Sequence, residues 1–195
     1  MDVSASDRVL VTIDGRTAEV ARGTTILNAA RQMGVAIPTL CNYRGLSPYG
    51  ACRVCLVELE TPRGRQLVAS CSYPIDAAAV IHTETDTVKE SRQTILELLL
   101  AQAPASQELA DFAANLGVKS TPFESVDADS KCILCGLCAR VCNEMMGRGA
   151  INLFGRGIHR EVKTAYGDPT DQCQACGACV FVCPTGAIDL TPGGD

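Results

Sequence analysis

Tryptophan is absent from this chain, and four phenylalanines and four tyrosines are its only aromatics among 195 residues. Small domains with so few large side chains usually need a second source of stability, either disulfides or bound metal. Other absences narrow the function. The N-terminus MDVSASDRVLVTIDG lacks a basic start followed by a long apolar run, so no secretory signal is read there. No window reaches the roughly 18–20 uncharged apolar residues of a membrane span, and no direct membrane insertion is expected. A net charge of −5 argues against a nucleic-acid partner, which needs a basic face. There is no P-loop, no flavin fingerprint and no G-x-G-x-x-G loop, Gly155-Arg156-Gly157 being too short. No catalytic residue of its own is therefore read in the chain. The two histidines, His82 and His159, have no cysteines beside them and read as surface or hydrogen-bonded residues.

What the chain has in abundance is cysteine, twelve in all. The expected location is the cytoplasm, where thiols stay reduced and clustered cysteines read as metal ligands or redox centres. Residues 132–142 read CILCGLCARVC and residues 173–183 read CQACGACVFVC, one spacing used twice. C-x2-C-x2-C-x3-C-P is the ligand run of two-cluster ferredoxins, in which the fourth cysteine serves the other cluster. That rule assigns one [4Fe–4S] cluster to Cys132, Cys135, Cys138 and Cys183. It assigns a second to Cys173, Cys176, Cys179 and Cys142. Pro184 follows the second run as the pattern asks, whereas Asn143 stands in its place after the first. Gly136 and Gly177 allow the backbone to curl close to an inorganic core. Zinc is the competing reading, since C-x2-C pairs also build zinc knuckles. The x3 spacing, the repeat and the apolar residues between the cysteines favour shielded clusters.

The upstream four, Cys41, Cys52, Cys55 and Cys71, are spaced C-x10-C-x2-C-x15-C. They keep the central C-x2-C and distant fourth ligand of the plant-type [2Fe–2S] pattern, but lengthen its first gap. A zinc site or free core cysteines are the alternatives.

The local patterns suggest an α+β protein in three parts. Residues 1–84 read as a β-grasp [2Fe–2S] ferredoxin-like domain. A hairpin over 9–21 turns at Asp14-Gly15, a helix over ILNAARQM follows a cap at Thr25, and strands are expected at 53–60, 66–71 and 78–83. Residues 85–121 read as a helical connector, with Val88, Ile95, Leu98 and Leu99 as its buried stripe and Ser106 capping a second helix after Pro104. Residues 122–195 read as a 2×[4Fe–4S] ferredoxin-like domain with pseudo-two-fold symmetry, each cysteine run leading to a strand, GAINL (149–153) or GAIDL (186–190).

The stretches TILNAARQMGVAIPTLCNYRGLSPYGACRVCLVEL, LVASCSYPI, SKCILCGLCARVCNEMMGRGAI and CQACGACVFVCPTGAI resemble the N-terminal iron–sulfur region of the large subunit of complex I. They are equally similar to the diaphorase small subunit of NAD-reducing hydrogenases. The resemblance implies an electron-transfer subunit of a multisubunit NAD(P)-linked oxidoreductase. Its implied partners are a flavoprotein subunit carrying FMN and oxidising NAD(P)H, and a catalytic redox subunit such as a hydrogenase or formate dehydrogenase. It also implies a further cluster held by one His and three Cys after the leucine-rich helix. Here AQAPASQE holds neither residue type. The missing relay would be bypassed by closer domains, by a cluster on a partner, or by a division into two electron branches. A freely diffusing polyferredoxin and a zinc or cluster-sensing protein are the rival functions.

Overall fold

The alternation of VLVTI and the turn at Asp14-Gly15 dictate where the chain begins to fold. The computed structural model describes residues 7–164 and 171–189. Strand β1 (Arg8–Ile13) and strand β2 (Arg16–Ala21) pair antiparallel in full register, Arg8 opposite Ala21 and Ile13 opposite Arg16. Asp14 and Gly15 both take positive φ, 47° and 79°, as a two-residue hairpin turn of this type requires. Helix α1 (Ile26–Gln32) is capped as expected, the Thr25 hydroxyl accepting from the Asn28 amide at 3.3 Å. Its buried face is Ile26, Leu27, Ala29 and Ala30, with Met33 only partly covered.

Strands β3 (Leu56–Thr61), β4 (Gly64–Ala69) and β5 (Ala79–His82) complete a five-stranded sheet ordered β2-β1-β5-β3-β4. The central β1–β5 pair is parallel and the other pairs are antiparallel, which is the β-grasp arrangement. One face of the sheet is closed by α1 around Val11, Ile13, Val57 and Ile81, all fully buried. Asp14 ties the first turn to the end of β5, accepting from the Thr83 amide at 2.8 Å and the Thr83 hydroxyl at 2.6 Å. The strand expected over 53–60 starts only at Leu56, because Arg53 sits at φ 60° in a loop. The strand expected over 66–71 ends at Ala69, before Cys71.

Helix α2 (Asp86–Gln102) and helix α3 (Gln107–Asn115) are joined at Pro104, and Ser106 caps α3 by accepting from the Leu109 amide at 3.1 Å. The buried stripe of α2 differs from the expectation. Val88, Arg92, Leu96 and Leu99 are covered, while Leu98 is 49% exposed. Steps of four and three residues keep the buried set on one face, and Leu98 falls two residues from Leu96, on the opposite side. Arg92 is buried because its guanidinium donates to Leu56 O at 2.8 Å and to Glu84 Oε1 at 3.1 Å.

Contacts divide the chain into two units, Met1–Thr39 with Pro48–Ile95, and Leu40–Ser47 with Leu96–Asp195. The β-grasp sheet belongs to the first. In the second, helix α4 (Leu137–Arg140) runs into a π turn at Val141–Met145, and helix α5 (Ala178–Phe181) follows the later cysteines. Strands β6 (Ile151–Phe154) and β7 (Glu161–Thr164) form a two-stranded antiparallel sheet. The strand expected at GAIDL is not formed among its described residues, 186–189. GAINL pairs instead with β7, from the segment between the repeats. The backbone after the second repeat is committed elsewhere: Ala187 N–H donates to Cys183 Sγ at 3.3 Å, and Thr185 O accepts from Ser106 Oγ at 2.9 Å.

Candidate metal centres

The first cysteine run builds its site from a backbone that side chains normally avoid. Leu134 at φ 52° and Gly136 at φ 71° are both left-handed, wrapping the chain around Cys132, Cys135 and Cys138. The second run repeats the device at the equivalent positions, with Ala175 at φ 51° and Gly177 at φ 74°. The glycines were legible in the sequence. Leu134 and Ala175 were not, because a non-glycine residue carries no signal for this conformation.

Cys132, Cys135, Cys138 and Cys183 all line one cavity of about 800 Å³ in the second unit, together with Ile133, Leu137 and Ile188. The fold thus brings the remote Cys183 to the cavity lined by the first run. Burial pushes the Cys138 thiol up to about 12, with the Cys135 charge adding to the effect. Burial likewise pushes Cys135 up to about 11; the Leu137 amide opposes this, while Cys183, Cys132 and Cys41 add to it. Cys132 is raised by burial first, against a hydrogen bond from the Leu134 amide, with Cys183 adding. Cys179, of the second run, is raised by burial and, more weakly, by Cys176 and Cys142. Cys142 therefore lies within electrostatic reach of Cys179. Cys173 and Cys176 are exposed.

Amide N–H groups donate to these sulfurs, among them Leu134 to Cys132 at 3.4 Å, Ala187 to Cys183 at 3.3 Å and Leu137 to Cys135. Such bonds favour the thiolate, the form that binds iron. Thiols lining an apolar cavity, with amides aimed at sulfur, fit a multi-atom iron–sulfur core. Among the described residues no group of three or more His, Cys, Asp or Glu is placed to hold a single metal ion.

Of the upstream cysteines, Cys52, Cys55 and Cys71 belong to the first unit, and Cys41 lies on the Leu40–Ser47 loop of the second. All four are buried, none more than 4% exposed. Cys52 and Cys55 flank the left-handed Arg53, and Cys71 lies in the turn after β4, past the strand on which the sequence reading placed it. His82 bonds Glu60 at 2.8 Å and His159 is exposed, both as the sequence reading had them.

The Leu40–Ser47 loop brings in residues that sequence reasoning missed. Arg140 donates from Nη2 to Cys41 O at 2.6 Å, and from Nη1 to Ser47 O. Glu144 Oε2 accepts from the Ser47 amide at 2.7 Å and the Ser47 hydroxyl at 2.8 Å. These two bonds, with Arg140 nearby, lower the Glu144 pKa from its ordinary value. No local pattern marks residues that meet 99 positions apart.

Residues 6–86 match the 2Fe-2S iron-sulfur cluster binding domain family, and residues 131–187 match the 4Fe-4S dicluster domain family. Fold and matches together define an α+β iron–sulfur protein that joins a 2Fe-2S domain to a 4Fe-4S dicluster domain. Among its relatives is the NADPH-Fe(3+) oxidoreductase subunit alpha of Geobacter sulfurreducens, 35% identical over 94% of this chain and 24% of the relative. The NADP-reducing hydrogenase subunit HndD of Solidesulfovibrio fructosivorans is 35% identical over 91% of this chain and 35% of its own length. An NADH-quinone oxidoreductase subunit of Rickettsia prowazekii is 32% identical over 92% of this chain and 30% of its own length. The chain therefore spans a quarter to a third of these relatives. A solved NAD+-reducing [NiFe]-hydrogenase in the H2-reduced state contains a chain with TM-score 0.80 and 27% identity, covering 92% of this chain and 86% of that one. The resemblance read from the cysteine-rich stretches is thus to subunits of NAD(P)-linked oxidoreductases. Among the described residues no helix is long and apolar enough to cross a membrane.

Proposed function

We propose that this chain is the iron–sulfur relay of a multisubunit NAD(P)-linked oxidoreductase, working in the cytoplasm. Its twelve cysteines hold one [2Fe–2S] cluster (Cys41, Cys52, Cys55, Cys71) and two [4Fe–4S] clusters (Cys132, Cys135, Cys138, Cys183 and Cys173, Cys176, Cys179, Cys142). Such clusters, when bound, take up and release single electrons at potentials set by charge, burial and hydrogen bonds to sulfur. The chain's own residues supply those settings. Apolar walls exclude water, the Leu134 and Ala187 amides bond sulfur, and the raised thiols of Cys135 and Cys138 lose their protons as iron binds.

The partners are a flavoprotein subunit carrying FMN, which exchanges hydride with NAD(P), and a catalytic redox subunit at the other end. The observation that supports the reading is the cavity that Cys183 shares with Cys132, Cys135 and Cys138, which an exchange of fourth cysteines between the runs would account for. Isolated zinc knuckles have no reason to trade ligands in this way. The first test is iron and acid-labile sulfide per chain after anaerobic purification, with EPR of the reduced protein. About ten irons, two in one cluster and four in each of the others, are expected. Zinc in place of iron would end the reading. Purification as a lone soluble chain, free of any flavoprotein, would favour a diffusing polyferredoxin.

A further inference from the structure

Both halves of the cysteine repeat reach the loop that carries Cys41, and they do so from the same position. Arg140 in CILCGLCARVC and Phe181 in CQACGACVFVC each stand two residues before the fourth cysteine. Arg140 holds the carbonyls of Cys41 and Ser47. Phe181 meets Tyr43 edge to face, with ring centroids 6.5 Å apart and planes at 82°. Glu144, four residues beyond Arg140, takes both the amide and the hydroxyl of Ser47. All of these residues belong to the second unit. Two ends of one short loop are thus bonded to a single helical segment, and its middle is held by an aromatic pair.

We propose that Arg140 is a positioning residue that holds Cys41 beside the first [4Fe–4S] ligand set and raises the potential of the cluster Cys41 binds. The inference rests on the relay reading above. A guanidinium presents several donors in one rigid plane, so it fixes two carbonyls in a set geometry, which the freely rotating ammonium of a lysine on its flexible stem does not. Its charge is permanent and lies against the peptide of a ligating residue. A reduced cluster is one charge more negative than an oxidised one, so a nearby cation stabilises the reduced form more. Removing the cation should lower the midpoint potential. Arg140 stands two residues past Cys138, so its bond to Cys41 O places the loop against the first [4Fe–4S] ligand run.

An arginine that merely caps loop carbonyls would affect loop order and leave potentials alone, and the test separates the two. The full chain and the variants Arg140→Gln, Arg140→Lys and Glu144→Gln are purified anaerobically, and iron and sulfide are counted. The [2Fe–2S] EPR signal is titrated against potential, and its microwave power saturation is followed as the [4Fe–4S] centres are reduced. Amide hydrogen exchange is measured across residues 40–47. Arg140→Gln should lower the [2Fe–2S] midpoint by roughly 59 mV, a tenfold change in the one-electron equilibrium. Arg140→Lys should keep most of that potential yet speed exchange in the loop and weaken the relaxation that neighbouring centres impose. Glu144→Gln should loosen the loop in the same way without lowering the midpoint. An unshifted midpoint in iron-replete Arg140→Gln overturns the inference alone. If Arg140→Gln cannot hold iron, Arg140→Lys decides, and unchanged exchange and unchanged relaxation there overturn it. A parent chain without iron would end the relay reading and this inference with it.

Discussion

The two cysteine runs have identical spacing and near-identical backbones, yet the protein treats them differently. In each, a left-handed residue two positions after the first cysteine and a left-handed glycine two positions later wrap the chain. The first run then continues through α4 into a π turn, with the Asn143 side chain donating to Ala139 O and Asn152 Oδ1, both at 3.1 Å. The second stops after α5, where Pro184 supplies no N–H and disfavours a helical residue before it. Cys135 and Cys138 are buried, while Cys173 and Cys176 are exposed. Ligand spacing sets the local wrap around a cluster. Beyond that wrap the two halves differ in burial and in what each grips.

The most severe way to break this comparison is to remove an exchanged ligand. Cys183→Ser should cost the chain about four irons, the cluster of the first run, although the substitution lies in the second. Iron analysis and EPR of the remaining [4Fe–4S] signal would check it; loss of the second run's signal instead would show that the cysteines are not exchanged.

The next largest effect should come from making the first run end like the second. Asn143→Pro places a proline inside a continuing helical segment and should destabilise the protein by about 3 kcal/mol in denaturant unfolding. The reciprocal Pro184→Asn should stay within about 0.5 kcal/mol, if the helix there is ended by its surroundings as well.

A smaller change tests what anchors the second run. Ser106 is buried, caps α3 and donates to Thr185 O two residues past Cys183. Ser106→Ala should cost about 1–2 kcal/mol by losing the cap, and leaves a carbonyl unbonded. The smallest predicted effect is on rate. Controlled air exposure should degrade the cluster of the exposed second run before that of the buried first run, as read from the order in which iron and EPR signals fall. Loss in the opposite order would mean that exposure of Cys173 and Cys176 does not set lability.

Much of this was written locally. The Asp14-Gly15 turn, the caps at Thr25 and Ser106 and the left-handed Gly136 and Gly177 each depend on a few adjacent residues, so a linear reading finds them. The element type of GAIDL was not legible in the same way, since a strand exists only where a partner offers its hydrogen bonds. GAINL found β7; the backbone after Cys183 bonds sulfur and Ser106 instead. The α2 stripe was half right because periodicity gives a helix's apolar positions, and contact decides which of Leu96 and Leu98 is covered.

The sequence by itself determined the spacings of the twelve cysteines, C-x10-C-x2-C-x15-C once and C-x2-C-x2-C-x3-C twice, because ligand spacing is a property of the linear chain. It also determined that no His/Cys3 set lies between residues 101 and 108. Only the tertiary structure decided that Arg140 and Phe181, equivalent positions in a repeat, would meet Cys41 and Tyr43 on one loop far earlier in the chain. Those contacts arise from packing between distant segments, and packing leaves no periodicity or spacing in the sequence to be read.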